Sequence, residues 1–204
     1  MSKGKLIILI TVLVLFADQA LKIWIKTHLM LGEEIPVLGN WFILHFTENN
    51  GMAFGIQFFG KAGKYMLSGF RIIAVIFLCY YLYKTTKRTL STSYVVAITL
   101  IMAGAAGNII DCAFYGLIFN ESLYNIAQFM PESGGYSSFL QGKVVDMFYF
   151  PIIQGHWPSW SPIKPTEEFI FFRPVFNLAD SAITCGMFWI LLFERKILQA
   201  ELEK

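Results

Sequence analysis

The chain has 204 residues, of which 56% are apolar and only 15% charged, and its mean hydropathy is +0.56, which excludes a soluble domain of average composition. Sixteen Lys and Arg against 14 Asp and Glu leave a net charge of +2, too small to indicate a nucleic-acid partner.

A helix needs about 20 mostly apolar residues to cross a bilayer. Four stretches approach this length, at 6–25, 66–83, 94–111 and 175–193. The first follows Lys3 and Lys5 and reads as a retained span rather than a cleaved leader, because cleavage would leave Asp18 and Lys22 without partner helices. The second has Arg71 near the start of its apolar stretch at 69–83, which leaves a short clean run, so the span borrows residues 65–68. The connection at 85–93 is short and basic, whereas those at 26–65 and 112–174 are long. No linker or repeat divides the chain, and a single membrane domain over 1–204 is expected.

Cations beside the spans set the orientation. Residues 1–5, 84–93 and 194–204 hold eight Lys or Arg, while the longer segments 28–67 and 113–173 hold five. Both termini are therefore expected in the cytoplasm and both long segments outside, where Trp157 and Trp160 suit an interfacial aromatic belt. Cys79, Cys112 and Cys185 lie in or beside apolar runs without paired spacing, and read as small core residues.

Only four of the acids are Asp, at 18, 111, 146 and 180. With about 1.5 Å of rise per helical residue, Asp18 lies about 20 Å up the first span, Asp180 about 21 Å up the last and Asp111 about 26 Å up the third. Asp146 can fold back from the outer segment to the same level, so all four can share one layer near the outer leaflet. Acids at such depth turn towards a partner or cavity and are functional candidates. Asp18 and Lys22 are spaced for a partly buried ion pair, with a structural or site-shaping role. Asn108 with Asp111, and Asn177 with Asp180, each put an amide and a carboxylate on one helix face. The small residues 103–107 permit close helix approach in lipid.

His28, His45 and His156 lie off these faces and in no metal-ligand spacing, and no Ser-His or Cys-His arrangement is evident. No metal or organic cofactor is required. What remains is a carboxylate pair, of which one member stays protonated while the other draws a proton from water. A proton- or ion-coupled transporter using the acids as a relay is the alternative, although no inverted repeat is visible; a non-enzymatic membrane scaffold would make the convergence accidental.

Five blocks in order then resemble one family. Asp18-Gln19 with Lys22, the segment Asn49 to Gly55, Gly107-Asn108-Ile109-Ile110-Asp111, Val144-Val145-Asp146-Met147-Phe148 and Phe176 to Ser181 resemble the motifs of the bacterial lipoprotein signal peptidases, the signal peptidase II family of membrane aspartic peptidases. The resemblance implies an enzyme of the bacterial inner membrane that removes the signal peptide from diacylglyceryl-modified prolipoproteins, cutting before the lipidated cysteine. It makes Asp146 and Asp180 the catalytic pair, and places Asn49, Gly51, Asn108, Asp111 and Asn177 at site-shaping or substrate-binding positions beside Asp18 and Lys22. The implied fold is mainly α, with four transmembrane helices and a small extracytoplasmic β-element at 37–48 and 143–150, acting as a monomer on prolipoprotein within membrane lipid. Two departures stand out. Cys112 occupies the position where the family usually has Arg, leaving Lys143 or Arg173 to replace that guanidinium, and residues 119–142 and 151–173 form insertions that serve as a lid, as a contact surface or as passive loops.

Overall fold

In the computed structural model, residues 1–50, 60–160, 162 and 166–203 are described. Gly51 and the rest of its motif to Gly55 lie outside these residues. Helix α1, Lys3–His28, begins where the Ser2 hydroxyl accepts from the Lys5 amide at 3.4 Å. Its 26 residues reach about 39 Å. The face carrying Asp18, Lys22, Ile25 and Lys26 is buried, while Ile8, Val12, Leu13 and Phe16 are exposed. A helix with its charges inside and its apolar residues outside is organised for lipid.

Strands β1, Glu34–Leu38, and β2, Phe42–Asn49, form an antiparallel hairpin. Strand β3, Val144–Tyr149, pairs antiparallel with β2, and the two-residue β6, Val175–Phe176, pairs with β3, giving the order β1-β2-β3-β6. The expected β-element is thus present, but the segment at 37–48 is two strands of a hairpin and β6 is added beyond the two expected segments. Inside the second insertion, β4, Ile153–His156, and β5, Glu168–Phe171, make a separate hairpin.

Helix α2 runs Gly60–Thr85 and α3 runs Thr92–Ile110, the latter capped by the Ser91 hydroxyl on the Tyr94 amide at 3.0 Å. The third span does not stop at Asp111 as expected. Asp111–Tyr115 forms a π-helical turn that passes into the short α4, Gly116–Ile118, so the apolar rod extends over Thr92–Ile118. The buried Cys112, Ala113 and Tyr115 keep this extension packed. A π-turn shifts the register of the side chains that follow it, and here Asp111 and Tyr115 both reach side chains of α1.

The fourth expected span is also corrected. Helix α5 covers Leu178–Phe193, because residues 175 and 176 are drawn into the sheet by Phe148↔Phe176 and Tyr149↔Val175 pairing. Its 16 residues extend about 24 Å, so three helices, α1, α2 and the α3 rod, are long and apolar enough to cross a bilayer. A break at Glu194 precedes α6, Arg195–Leu202. Cys112 is buried as expected, but Cys79 and Cys185 are exposed, both on apolar helices whose outer faces carry large hydrophobic residues.

Helices α3 and α5 meet through small residues. A Cβ on Gly104 would lie 2.3 Å from the Ala179 carbonyl oxygen, and one on Gly186 would lie 2.6 Å from that of Ala97. Gly104→Ala is therefore expected to push α5 away and cost about 1–3 kcal/mol. Thermal unfolding in detergent would register this as a lowered Tm, and an unchanged Tm would contradict the close contact.

The insertion at 119–142 is folded back onto the end of the α3 rod. The amides of Met130, Tyr136, Ser137 and Gly142 donate to the carbonyls of Ile118, Phe119, Gly116 and Cys112 at 2.7–2.9 Å. Ser122, fully buried, joins the ion pair of Lys26 with Glu48, and Lys143 bonds the other Glu48 oxygen at 3.0 Å. Burial opposes ionisation of Glu48, yet Lys26 and Lys143 outweigh it and hold this carboxyl below its ordinary range. The insertion is thus packed against the end of the α3 rod.

Candidate active site

Strand pairing delivers Asp146. Thr47 faces it across the β2–β3 ladder, and Asn49, two residues on and on the same sheet face, gives it a side-chain hydrogen bond. Strand β6 ends at Phe176, so the next residue, Asn177, is held beside β3 and caps α5. Its Oδ1 accepts from the Asp180 amide at 2.9 Å, which leaves its Nδ2 to donate to Asp146 Oδ1 at 2.7 Å and to Asn108 Oδ1 at 3.1 Å. Asn108 in turn donates from Nδ2 to Asp180 Oδ1 at 2.8 Å. Two amides thus tie the two carboxylates into one unit.

Lys22 determines which way Asn108 points. Its ammonium donates to Asn108 Oδ1 at 3.0 Å, so the amide nitrogen must turn to Asp180. The same ammonium bonds Asp18 at 2.9 Å and Asp111 at 2.8 Å, with all three side chains fully buried. The Asp18–Lys22 pair expected to be partly buried is therefore completely enclosed and shared with a third partner. Asp18 also accepts from the Ala179 amide at 2.9 Å, where a carboxylate favours the N-terminus of α5. Asp111 accepts from the Val145 amide at 3.3 Å and from Gln19 Nε2 at 2.9 Å. These bonds fasten α1, α3, β3 and α5 to one another around the pair.

Burial, reinforced by the charge of Asp180, pushes the Asp146 carboxyl up to about 7, against the lowering hydrogen bonds of Asn177 and Asn49. A carboxyl of this kind exchanges its proton near neutral pH, as an acid-base catalyst requires. Among the described residues no three His, Cys, Asp or Glu side chains are arranged to hold a metal ion. Chemically, the arrangement can share one proton between two acids and polarise a carbonyl with it.

Asp18, Lys22, Asn49, Asn108, Asp111, Asp146, Asn177 and Asp180 therefore come together, while Gly51 falls outside the described residues. Two expectations fail. Lys143 is taken up by Glu48 and Glu121, and Arg173 donates to the Glu168 carbonyl at 3.4 Å, so neither supplies a guanidinium or ammonium beside Cys112. Arg71 of α2 comes within 3.9 Å of the Cys112 sulfur instead. Sequence reasoning quoted Gln19 in the first block but gave it no role; it bridges Asp18 and Asp111 and accepts from Tyr115 at 3.1 Å. Its place beside Asp18 was the available signal. Lys26 was missed, although it continues the Asp18–Lys22 spacing by one more turn.

A family model described as Signal peptidase (SPase) II matches residues 10–195. A lipoprotein signal peptidase of Porphyromonas gingivalis is 48% identical over 193 residues, covering 94% of this chain and 84% of that protein. One from Amoebophilus asiaticus is 38% identical, covering 96% and 80% respectively. Among solved structures, a bacterial membrane enzyme obtained by the in meso method at 2.3 Å resolution superposes with a TM-score of 0.60 at 25% identity, covering 98% of this chain and 93% of that one. A second, at 1.9 Å, gives a TM-score of 0.56 at 26% identity, with coverage of 92% and 91%.

Proposed function

The chain belongs to the signal peptidase II family, and from that membership we infer that it is a membrane peptidase that removes signal peptides from prolipoproteins, with Asp146 and Asp180 as its catalytic acids. The observation that carries this reading is the coupling of the two carboxylates through Asn177 and Asn108. The transporter alternative finds no support, since the relatives named above are all called lipoprotein signal peptidases.

The pair holds one proton and one water. The ionised carboxylate takes a proton from the water as its oxygen attacks the scissile carbonyl, and the protonated acid donates to the carbonyl oxygen. The resulting gem-diol collapses when a proton is returned to the amine. The C–N bond breaks, leaving a new carboxyl end on the signal peptide and a free amine on the lipoprotein. Asn108 and Asn177 keep the two carboxylates at fixed separation, and Lys22 keeps Asn108 in its orientation. This preorganisation spares the site rearrangement during the reaction.

The substrate we infer is the diacylglyceryl-modified precursor, cut before its lipidated cysteine, with the chain acting as a monomer and as one unit over its whole length. The three long helices and the shorter α5 together cross the inner membrane, with both termini in the cytoplasm. The cation distribution supports this orientation. It sets the carboxylate pair in the outer leaflet, where a lipid-anchored substrate diffuses without its acyl chains leaving the bilayer. Purified protein in liposomes is expected to cut a lipid-modified precursor and to spare the same precursor without lipid; equal cleavage of both would overturn the substrate assignment.

A further inference from the structure

Helix α2 takes no part in the carboxylate network, yet it buries one cation, Lys64, and holds a half-buried second, Arg71, beside it. Lys64 and Arg71 lie seven residues apart, two turns along one face, and therefore about 10 Å apart along the axis. The Lys64 side chain is 7% exposed. Its ammonium donates to Asn50 Oδ1 at 3.2 Å and to the Gln141 carbonyl at 2.8 Å, both uncharged oxygens. An ammonium has three N–H groups, and one remains beyond these two partners among the described residues. Gln141 is equally buried, and its Nε2 has no hydrogen-bond partner among the described residues. The next residue, Gly142, donates to the Cys112 carbonyl at 2.8 Å, and Arg71 approaches the Cys112 sulfur. Lys64 and the Gln141 segment thus lie together beside Cys112, the neighbour of Asp111. Asn50 links the cluster to the reacting pair, because its neighbour Asn49 bonds Asp146.

A buried donor left without an acceptor is costly, so a cluster of this kind fits a ligand that brings oxygen acceptors. The cluster lies within the apolar stretch Ala62–Thr85, towards the outer end of that span, at the boundary between acyl chains and headgroups where glycerolipid esters reside. We propose that Lys64 and Gln141 form a subsite for the ester carbonyl oxygens of a glycerolipid. The inference rests on the substrate reading above and extends it to the lipid itself. The esters belong either to the diacylglyceryl group of the precursor or to a bilayer lipid seated beside it.

The test uses the full chain in liposomes and two precursors, one with ester-linked and one with ether-linked chains, each in ester- and in ether-linked host lipid. Wild type is expected to show a kcat/KM about tenfold higher wherever the recognised lipid carries esters, the effect of one charge-assisted hydrogen bond. Lys64→Met and Gln141→Leu should bring the ester-to-ether ratio of kcat/KM from about ten to about one, whereas a merely structural defect would lower both rates and leave the ratio at the wild-type value. A preference that follows the precursor linkage assigns the subsite to the substrate, and one that follows the host lipid assigns it to the bilayer. Equal rates on both linkages in wild type overturn the proposal, as does a dependence on anionic headgroups alone. If wild type leaves the ester precursor uncut, the substrate reading falls and this inference with it.

Discussion

Asp146→Asn is expected to lower kcat by about 10³- to 10⁴-fold while leaving the chain folded, and to make it more heat-stable than wild type at pH 8. The activity loss follows from the shared proton, which an amide can neither accept nor release. The stability gain follows from linkage. The Asp146 carboxyl moves from an ordinary value of 3.8 to about 7 on folding, so the folded chain binds this proton more tightly than the unfolded one. The resulting stabilisation is complete below about pH 4 and is lost as pH rises to about 7, a difference of about 4 kcal/mol. Asn stays neutral throughout and escapes the loss, so the two Tm curves should meet below about pH 4, part between about pH 4 and 7, and keep a constant separation above that. Wild-type activity should also decline as pH rises through about 7, where the shared proton leaves. Asp180→Asn serves as the companion variant, with the same loss of kcat expected. Cleavage retained by both variants would remove the pair from the mechanism.

Lys22→Met should be the most destabilising single change at the site, at about 3–5 kcal/mol. It leaves Asp18 and Asp111 fully buried without their common cation and removes the donor that orients Asn108. Unfolding by denaturant in detergent gives the direct measure, and wild-type stability in this variant would show that the ammonium is not what holds the cluster. Adding Asp18→Asn and Asp111→Asn removes the stranded charges and should restore much of the stability. Activity should remain low in the triple variant, because Asn108 is then free to turn its carbonyl towards Asp180. The contrast separates the two tasks of Lys22, neutralising the buried acids and aiming the amide.

Much of the site was legible because polar residues are scarce in an apolar chain. Asp18 and Lys22 share a helix face by spacing alone, as do Asn108 and Asp111, and each pair does converge with the other. The pairing of Asn177 with Asp180 was legible as a spacing, but its form was not. Asn177 is a cap outside the helix rather than a member of it, since β6 takes up the residues before it. Likewise, the continuation of α3 through a π-turn could not be read from residues 111–118, whose apolar pattern suits either a helix or a buried loop. The Lys26–Glu48 pair and the approach of Arg71 to Cys112 join residues 22 and 41 positions apart, and no local period reports such a meeting.

By itself, then, the sequence determined that the chain is built of helices apolar enough for a membrane, and which helix faces carry its scarce aspartates. These are consequences of hydropathy and of the 3.6-residue period, which act locally. The tertiary structure alone decided which oxygen meets which donor. It set Asn108 between Lys22 and Asp180, Asn177 between Asp146 and the Asp180 amide, and the Lys64 ammonium on the Gln141 carbonyl. Those contacts depend on strand register and on the close crossing of α3 and α5, where an error of one residue or a few ångströms would part every bond in the network.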